Sequence, residues 1–369
     1  MGFLQQLGIA YPIFQAPMAG IATPELAATV SNAGGLGALG VASVDNPTAL
    51  EMIRATQRQT TRPFNVNVFC HQPPSRQPLR EAQWLNFLAP LFEQLDAPLP
   101  QELHDRYPSF RTNPGLLDVL LLTRPRVVSF HFGLPTPQQL ALIHGAGIFT
   151  LATATNTHEA QLIAQAGIQG IVVQGNQAGG HRGIFDPTAH DPAQPTLELL
   201  KAIRAQTQLP LVAAGGIMTG AHIQQALALG ANAAQLGTAF VATNESAAGP
   251  RYRALMKDRS RRTQLSSAIS GRPARGIVND YLDYTNAPQA PQPAAYPLAY
   301  DATKGLQQAA QNYSKQHGNP NADSAQPNAP VFDCGTYWAG ENVHLARHLP
   351  ARQLVQLLLR ELAQAQTGA

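Results

Sequence analysis

Cysteine is nearly missing from these 369 residues. Cys70 and Cys334 are the only two, which excludes a disulfide framework and a four-cysteine zinc site, and no C-x-x-C spacing occurs. Charge is also sparse: 13% of residues are charged, and 25 basic against 22 acidic residues leave a net charge of +3. The one short basic cluster, Lys257, Arg259, Arg261 and Arg262, reads as a solvated face, so nucleic acid is not an expected partner. No apolar run approaches the roughly 18 residues of a membrane span. The opening Met1-Gly2-Phe3-Leu4-Gln5-Gln6-Leu7 lacks the basic n-region of a secretory signal, and Gln6 breaks a myristoylation pattern. A reducing, cytoplasmic setting without a membrane partner is the expectation. G-x-S-x-G is absent, so no nucleophile elbow is expected. His344 and His348 have H-x-x-x-H spacing, yet the Glu of a zincin and a third ligand are wanting, and no metal is expected.

What remains is apolar enough to fold: 44% of residues are hydrophobic, and the length suits one large domain carrying a smaller one. Short apolar runs bounded by turn residues fall at 12–15, 36–39, 64–69, 127–130, 148–152, 170–174, 211–214 and 233–236, eight candidate strands. Helical periodicity occupies most gaps, at 24–33, 47–60, 137–145, 157–166, 197–206 and 221–229. Pro24, Pro47 and Pro137 suit first-turn positions, and four of these helices run out at Gly34, Gly147, Gly167 and Gly230, where glycine takes a left-handed C′ conformation cheaply. Strand and helix alternating eight times is the expectation of a (β/α)8 TIM barrel, an α/β fold, with a doubly wound sheet as the runner-up.

Two segments fall outside the repeat. The stretch 71–113 is a long proline-containing connection that either caps the site or decorates the barrel. The region after strand eight is expected to form a lid, giving a barrel over 1–243 and 338–369 and a substrate-binding lid domain over 244–337. Within the lid, 260–270 is polar, 287–297 is rich in Pro, Gln and Ala, and 318–330 reads as a solvated loop. No packed strand is expected there, whereas 350–365 regains helical periodicity through Leu354, Leu357, Leu358 and Leu362.

Functional residues of such barrels sit on loops after the strands. Gly35-Leu36-Gly37-Ala38-Leu39-Gly40 matches G-x-G-x-x-G, but it follows a helix and spans a strand, the wrong context for a dinucleotide site. Gly215-Gly216 closes strand seven, and Gln235-Leu236-Gly237-Thr238 closes strand eight. Glycine turns at these two ends often hold a phosphate through backbone N–H groups, ordinary turn chemistry being the alternative. Asn65 and Asn67 alternate along strand three and share a face, to bind the edge of a ring or to satisfy the structure. His131 follows strand four, and His181 sits in a glycine-rich loop after strand six. Either imidazole suits a base or an anion-stabilising donor, although a lone histidine is often structural.

The combination of Gln15-Ala16-Pro17-Met18-Ala19-Gly20, Asn65-Val66-Asn67, Ser129-Phe130-His131-Phe132-Gly133 and Gly179-Gly180-His181-Arg182-Gly183 resembles the nitronate monooxygenases, formerly 2-nitropropane dioxygenases, of the class I bacterial type. The resemblance covers nearly the whole chain. It implies FMN, with Ala16, Pro17 and Met18 against the ring, Asn67 and Gln174 at its polar edge, and Gly179 and Gly180 beside it. The phosphate would rest on Gly216, Gln235, Gly237 and Thr238, with Gly215 and Leu236 beside them among the cofactor-binding residues. The family's catalytic histidine falls on His181, and its substrate pocket on His131, Tyr296, Tyr300 and Lys304, with Tyr107 and Tyr252 less closely matched. The implied reaction is one-electron oxidation of a nitronate through a flavosemiquinone, O2 then yielding a carbonyl compound and nitrite. The implied partners are a small nitronate and O2, in a monomer or homodimer. Flavin-dependent NAD(P)H:quinone and enoyl-ACP reductases are similar barrels, but no second dinucleotide motif is present. A non-catalytic flavin-binding protein is the reading from another class.

Overall fold

In the computed structural model the described residues are 2–317 and 331–367; the predicted loop at 318–330 lies outside them. The chain divides into two compact units. One is drawn from Met1–Gln72, Pro108–Ala248 and Gly340–Ala369, the other from Pro73–Tyr107 and Gly249–Ala339.

The first unit is an eight-stranded parallel barrel. Its strands are β1 (Ile13–Gln15), β2 (Gly37–Gly40), β3 (Phe64–Phe69), β4 (Val127–His131), β5 (Phe149–Ala154), β6 (Gly170–Gln174), β7 (Leu211–Ala214) and β8 (Ala233–Leu236). Each pairs in parallel with its neighbours in the order β1-β8-β7-β6-β5-β4-β3-β2. The ring is completed by a parallel bridge between Phe14 and Leu36, where the Gln15 N–H donates to the Leu36 carbonyl at 2.9 Å. Because β1 borders both β8 and β2, the sheet has no free edges and the doubly wound alternative is excluded.

The crossovers are the helices Pro24–Asn32, Asn46–Gln59, Pro114–Thr123, Pro137–Gly145, Thr157–Gln165, Thr196–Arg204 and Gly220–Ala228. Pro24, Pro47 and Pro137 lie in first turns, where a missing N–H goes unused. Gly34, Gly147, Gly167 and Gly230 all have positive φ, ending helices as their positions predict. Gly37 has a packing reason rather than a nucleotide-binding one: a Cβ there would lie 1.9 Å from the Ala27 carbonyl oxygen of the helix above it.

Two apolar layers hold the barrel. Side chains such as Val66, Val68, Val128, Ile171 and Leu211 pack outward beneath the helices. Phe14, Leu36, Val127, Leu151, Val172 and Val212 form a separate core. The short helix Phe3–Leu7 supplies Phe3 to it, the ring lying 6.1 Å from Phe14 and 5.9 Å from Phe149. Full burial of each such side chain contributes about 1.5–3 kcal/mol. The C-terminal helix Ala351–Thr367 packs its Leu354, Val355, Leu358 and Leu362 against helices Gly220–Ala228 and Pro24–Asn32.

The second unit contains helices Pro78–Gln94, Pro250–Lys257, Asp280–Thr285 and Leu298–His317. The stretch 73–107 belongs to it, with a 17-residue helix at its centre. The expectation of no packed strand is corrected here: β9 (Thr263–Ser266) and β10 (Ala274–Ile277) form an antiparallel pair. Their sequences Thr-Gln-Leu-Ser and Ala-Arg-Gly-Ile are short and do not alternate polar with apolar residues, so neither carries the period-two signal of a strand.

Candidate active site

Parallel strands leave their C-terminal ends at one mouth of a barrel, and the polar residues of the first unit gather there. On β3, Val66 and Val68 face the helices and Asn65 and Asn67 the opposite way. Both carboxamides donate to the Ser129 hydroxyl oxygen of β4, Asn65 at 2.9 Å and Asn67 at 2.8 Å, and Asn67 also donates to the Ser129 carbonyl at 3.0 Å. Asn65 Oδ1 is buried and, among the described residues, has no hydrogen-bond partner. On β1, Gln15 spends its carboxamide on the strands themselves, accepting from Ala38 N at 2.8 Å and donating to the Ala38 carbonyl at 3.0 Å. The half-buried Ala16, Pro17 and Met18 follow it.

The loop after β6 is held from several directions. Gln174 donates to the His181 carbonyl at 2.9 Å and accepts from the Gly183 N–H at 2.8 Å, so its amide positions the histidine loop. Arg182, fully buried, grips Asp191 with Nε at 2.8 Å and Nη2 at 2.9 Å, and Nη1 donates to the Gln174 carbonyl at 2.7 Å. Burial works to raise the Asp191 pKa, but hydrogen bonds from Arg182 and the Ala193 N–H outweigh it and hold it below the ordinary carboxylate value. Buried Glu159 accepts from the Phe185 N–H at 2.8 Å and from Thr155 N at 2.6 Å. Removing one partner of a buried ion pair costs about 3–5 kcal/mol, so Arg182 and Asp191 fix the loop that carries His181. Sequence reading missed Arg182, Asp191 and Glu159 as loop anchors; only the Gly-His-Arg-Gly context hinted at the first.

His131 and His181 converge on one ring. Phe132, in the left-handed region at φ 66°, is buried, with His131 at 4.6 Å and His181 at 5.4 Å from it, the latter edge-on at 83°. His131 Nδ1 lies 3.1 Å from the Thr153 hydroxyl. A Cβ on Gly183 would sit 2.9 Å from the His131 ring, so glycine is what lets the His181 loop close down beside His131.

The turns after β7 and β8 complete this mouth. Gly215 and Gly216 have φ of 124° and 69°, and the Thr196 hydroxyl donates to the Gly215 carbonyl at 2.9 Å. Half-buried Gln235 and buried Leu236 end β8, and Gly237 leads into the short helix Thr238–Val241. The Thr238 hydroxyl oxygen accepts from Gly340 N at 2.9 Å. Gly179 and Gly180 stand at the head of the His181 loop, Gly180 with φ 74°.

In the second unit the structure brings together Tyr107, Tyr296 and Tyr300, with Tyr107–Tyr300 ring centroids 5.4 Å apart and Tyr296–Tyr300 centroids 6.3 Å apart. Lys304 lies one turn beyond Tyr300 on helix Leu298–His317. Burial raises the pKa of all three phenols, which keeps them protonated as donors. Lys304 has an exposed side chain, yet desolvation around its ammonium, with Arg106 nearby, lowers its pKa. Tyr252 stands apart: its hydroxyl donates to the Trp338 carbonyl, and its ring packs 5.3 Å from Tyr337. It is linked to the cluster through Trp338, whose side chain hydrogen-bonds Tyr300. Arg272, 5.6 Å above the Tyr296 ring, is a further cation that sequence reading missed.

With this geometry in place, similarity to known proteins is informative. A family model described as nitronate monooxygenase matches residues 3–361. The chain is similar to a nitronate monooxygenase of Paraburkholderia phytofirmans, 49% identical over 98% of this chain and 95% of that one. One from Pseudomonas aeruginosa is 45% identical over 98% of each. Among solved structures, a nitroalkane oxidase from Streptomyces ansochromogenes superposes with a TM-score of 0.86 at 37% identity over 99% of both chains.

Proposed function

Since the chain belongs to the nitronate monooxygenase family, an oxidoreductase family, we propose that it oxidises alkyl nitronates such as propionate 3-nitronate with O2, giving 3-oxopropanoate and nitrite. We assign its cofactor as FMN. Two observations support the fit: Asn65 Oδ1 is a buried acceptor lacking a partner among the described residues, and Gly215 and Gly216 turn through positive φ at the end of β7. Asn67 and Gln174 would meet the ring's polar edge, Ala16, Pro17 and Met18 its face, Gly179 and Gly180 its side, and Gly216, Gln235, Gly237 and Thr238 its phosphate. Bound there, the flavin supplies one-electron oxidation of the nitronate.

The protein's own groups supply binding and proton transfer. A nitronate is an anion with two oxygens, and propionate 3-nitronate adds a carboxylate. Tyr107, Tyr296 and Tyr300 offer phenol donors, and Lys304 an ammonium, so we assign substrate recognition to the second unit. Tyr252 supports Trp338 behind them. For a neutral nitroalkane, neutral His181 accepts the α-proton, with His131 beside it as a donor to the nitro oxygens. A reducing compartment suits the buried thiols of Cys70 and Cys334, and we place the reaction in the cytoplasm.

The observation that carries this reading is the convergence of His131 and His181 on Phe132 at the strand ends, inside a chain that matches the family from end to end. The test is to supply propionate 3-nitronate and follow O2 consumption and nitrite. Nitrite release in step with O2 uptake is expected. O2 uptake without nitrite overturns the reaction assigned.

A further inference from the structure

The chain returns to the barrel at Gly340 after completing the second unit, and this returning segment meets three loops of the mouth. Gly340 N donates to the Thr238 hydroxyl oxygen after β8 at 2.9 Å. Glu341 N donates to the Gln177 carbonyl after β6 at 3.1 Å. Asn342 Nδ2 donates to the Gly216 carbonyl after β7 at 2.7 Å. Space is tight as well: a Cβ on Gly340 would lie 2.7 Å from the Gln177 carbonyl oxygen and 3.2 Å from Gly179 N.

The same segment and the helix behind it fix the rest of the β7 turn. Arg347 donates to the Met218 carbonyl and pairs with Glu361. The other Glu361 oxygen accepts from Gly220 N at 2.8 Å. His222, capped by Thr219, accepts from Met218 N at 3.3 Å through Nδ1 and hydrogen-bonds the Gly216 backbone. A Cβ on Gly220 would lie 2.2 Å from Leu362 N, so the C-terminal helix seats directly against this turn. Between Gly216 and Gly220, three carbonyl or N–H groups are therefore held by side chains from residues 342–361.

We infer that Asn342, Arg347 and Glu361 are positioning residues for the phosphate site of the flavin, holding the turn after β7, and with it the Gly216–Ile217 peptide whose carbonyl Asn342 binds, so that the Ile217 N–H of that peptide faces the anion. This rests on the FMN reading above. A peptide whose carbonyl is anchored keeps its N–H direction before ligand arrives, and that pre-organisation raises affinity without any contact between Asn342 and the ligand. The effect is confined to the phosphate, because the ring is served by other strands.

The test compares FMN with riboflavin, which has the same ring and no phosphate, by measuring Kd on the full chain stripped of flavin. Wild type should bind FMN more tightly than riboflavin. Asn342→Ala should weaken FMN about 3- to 10-fold, the loss of one hydrogen bond, with riboflavin unchanged. Glu361→Gln, which keeps the shape of the clamp and removes its charge, should lower the FMN preference in the same direction and serves if Asn342→Ala folds poorly. Equal binding of FMN and riboflavin by wild type would overturn the phosphate reading itself. A wild-type preference that survives in both variants, or an equal loss for both ligands, would overturn the positioning role alone.

Discussion

The mouth of the barrel and the tyrosine cluster of the second unit are both polar, yet they are built from different chemistry. At the mouth, the groups are carboxamides, glycine backbone and two imidazoles, and most carboxamide atoms already hold backbone or a neighbouring hydroxyl: Gln15 binds Ala38, Gln174 binds His181 and Gly183, and Asn67 binds Ser129. In the second unit the groups are phenols and cations, with burial keeping the phenols protonated. The first arrangement fixes a geometry, because an amide with both ends engaged cannot rotate. The second presents donors and positive charge, which is what an anion selects. Positioning and charge recognition are thus separable by mutation.

The largest expected effect is at His181. His181→Asn should lower kcat/KM for a neutral nitroalkane by about 10²- to 10⁴-fold, the usual worth of general base catalysis, and spare a preformed nitronate to within about tenfold. Equal activity of variant and wild type on the neutral nitroalkane would remove the base role. Asp191→Ala comes next, on the positioning side. It leaves the buried Arg182 guanidinium uncompensated and should cost about 3–5 kcal/mol of stability, read by thermal unfolding. A loss under about 1 kcal/mol would mean that the ion pair does not anchor the loop.

Lys304→Met removes the ammonium donor from the second unit. Loss of a charged donor, worth about 1.5–3 kcal/mol, should raise KM for propionate 3-nitronate at least tenfold and for an uncharged-chain nitronate less, with kcat nearly preserved. The pH dependence has a definite sign. Because the Lys304 pKa is lowered from 10.5, the ammonium is present at low pH and is lost as pH rises through that lowered value. The kcat/KM for propionate 3-nitronate should therefore decline on the alkaline side sooner than an ordinary lysine would dictate, and Lys304→Arg should move that limb upward. An alkaline limb unmoved by the arginine would assign it to another group.

Much of the barrel was legible because its signals are local. Short apolar runs at 64–69 and 211–214 became β3 and β7 with those bounds, and proline at helix starts with glycine at helix ends marked the crossovers between them. Strand ends also located Asn67, His131, His181 and the glycine turns, since a parallel barrel puts all such ends on one side. What holds these residues was not legible. Gly216 and Asn342 are 126 positions apart, and Gly220 and Glu361 are 141 apart, so no spacing rule joins them. Arg182 and Asp191 are close in sequence, but nothing there says that the guanidinium is buried. β10 escaped for a different reason: Arg275 is buried in it and Gly276 lies against Trp338, so a charged residue and a glycine occupy places where a strand pattern expects apolar side chains.

The reaction itself is read most directly by mixing the purified protein anaerobically with propionate 3-nitronate and, separately, with NADH, and following its visible spectrum. A nitronate monooxygenase should show a flavin spectrum that changes on addition of the nitronate and stays unchanged with NADH. Rapid bleaching by NADH with no response to the nitronate would contradict this expectation and assign the same barrel to a nicotinamide-dependent reductase.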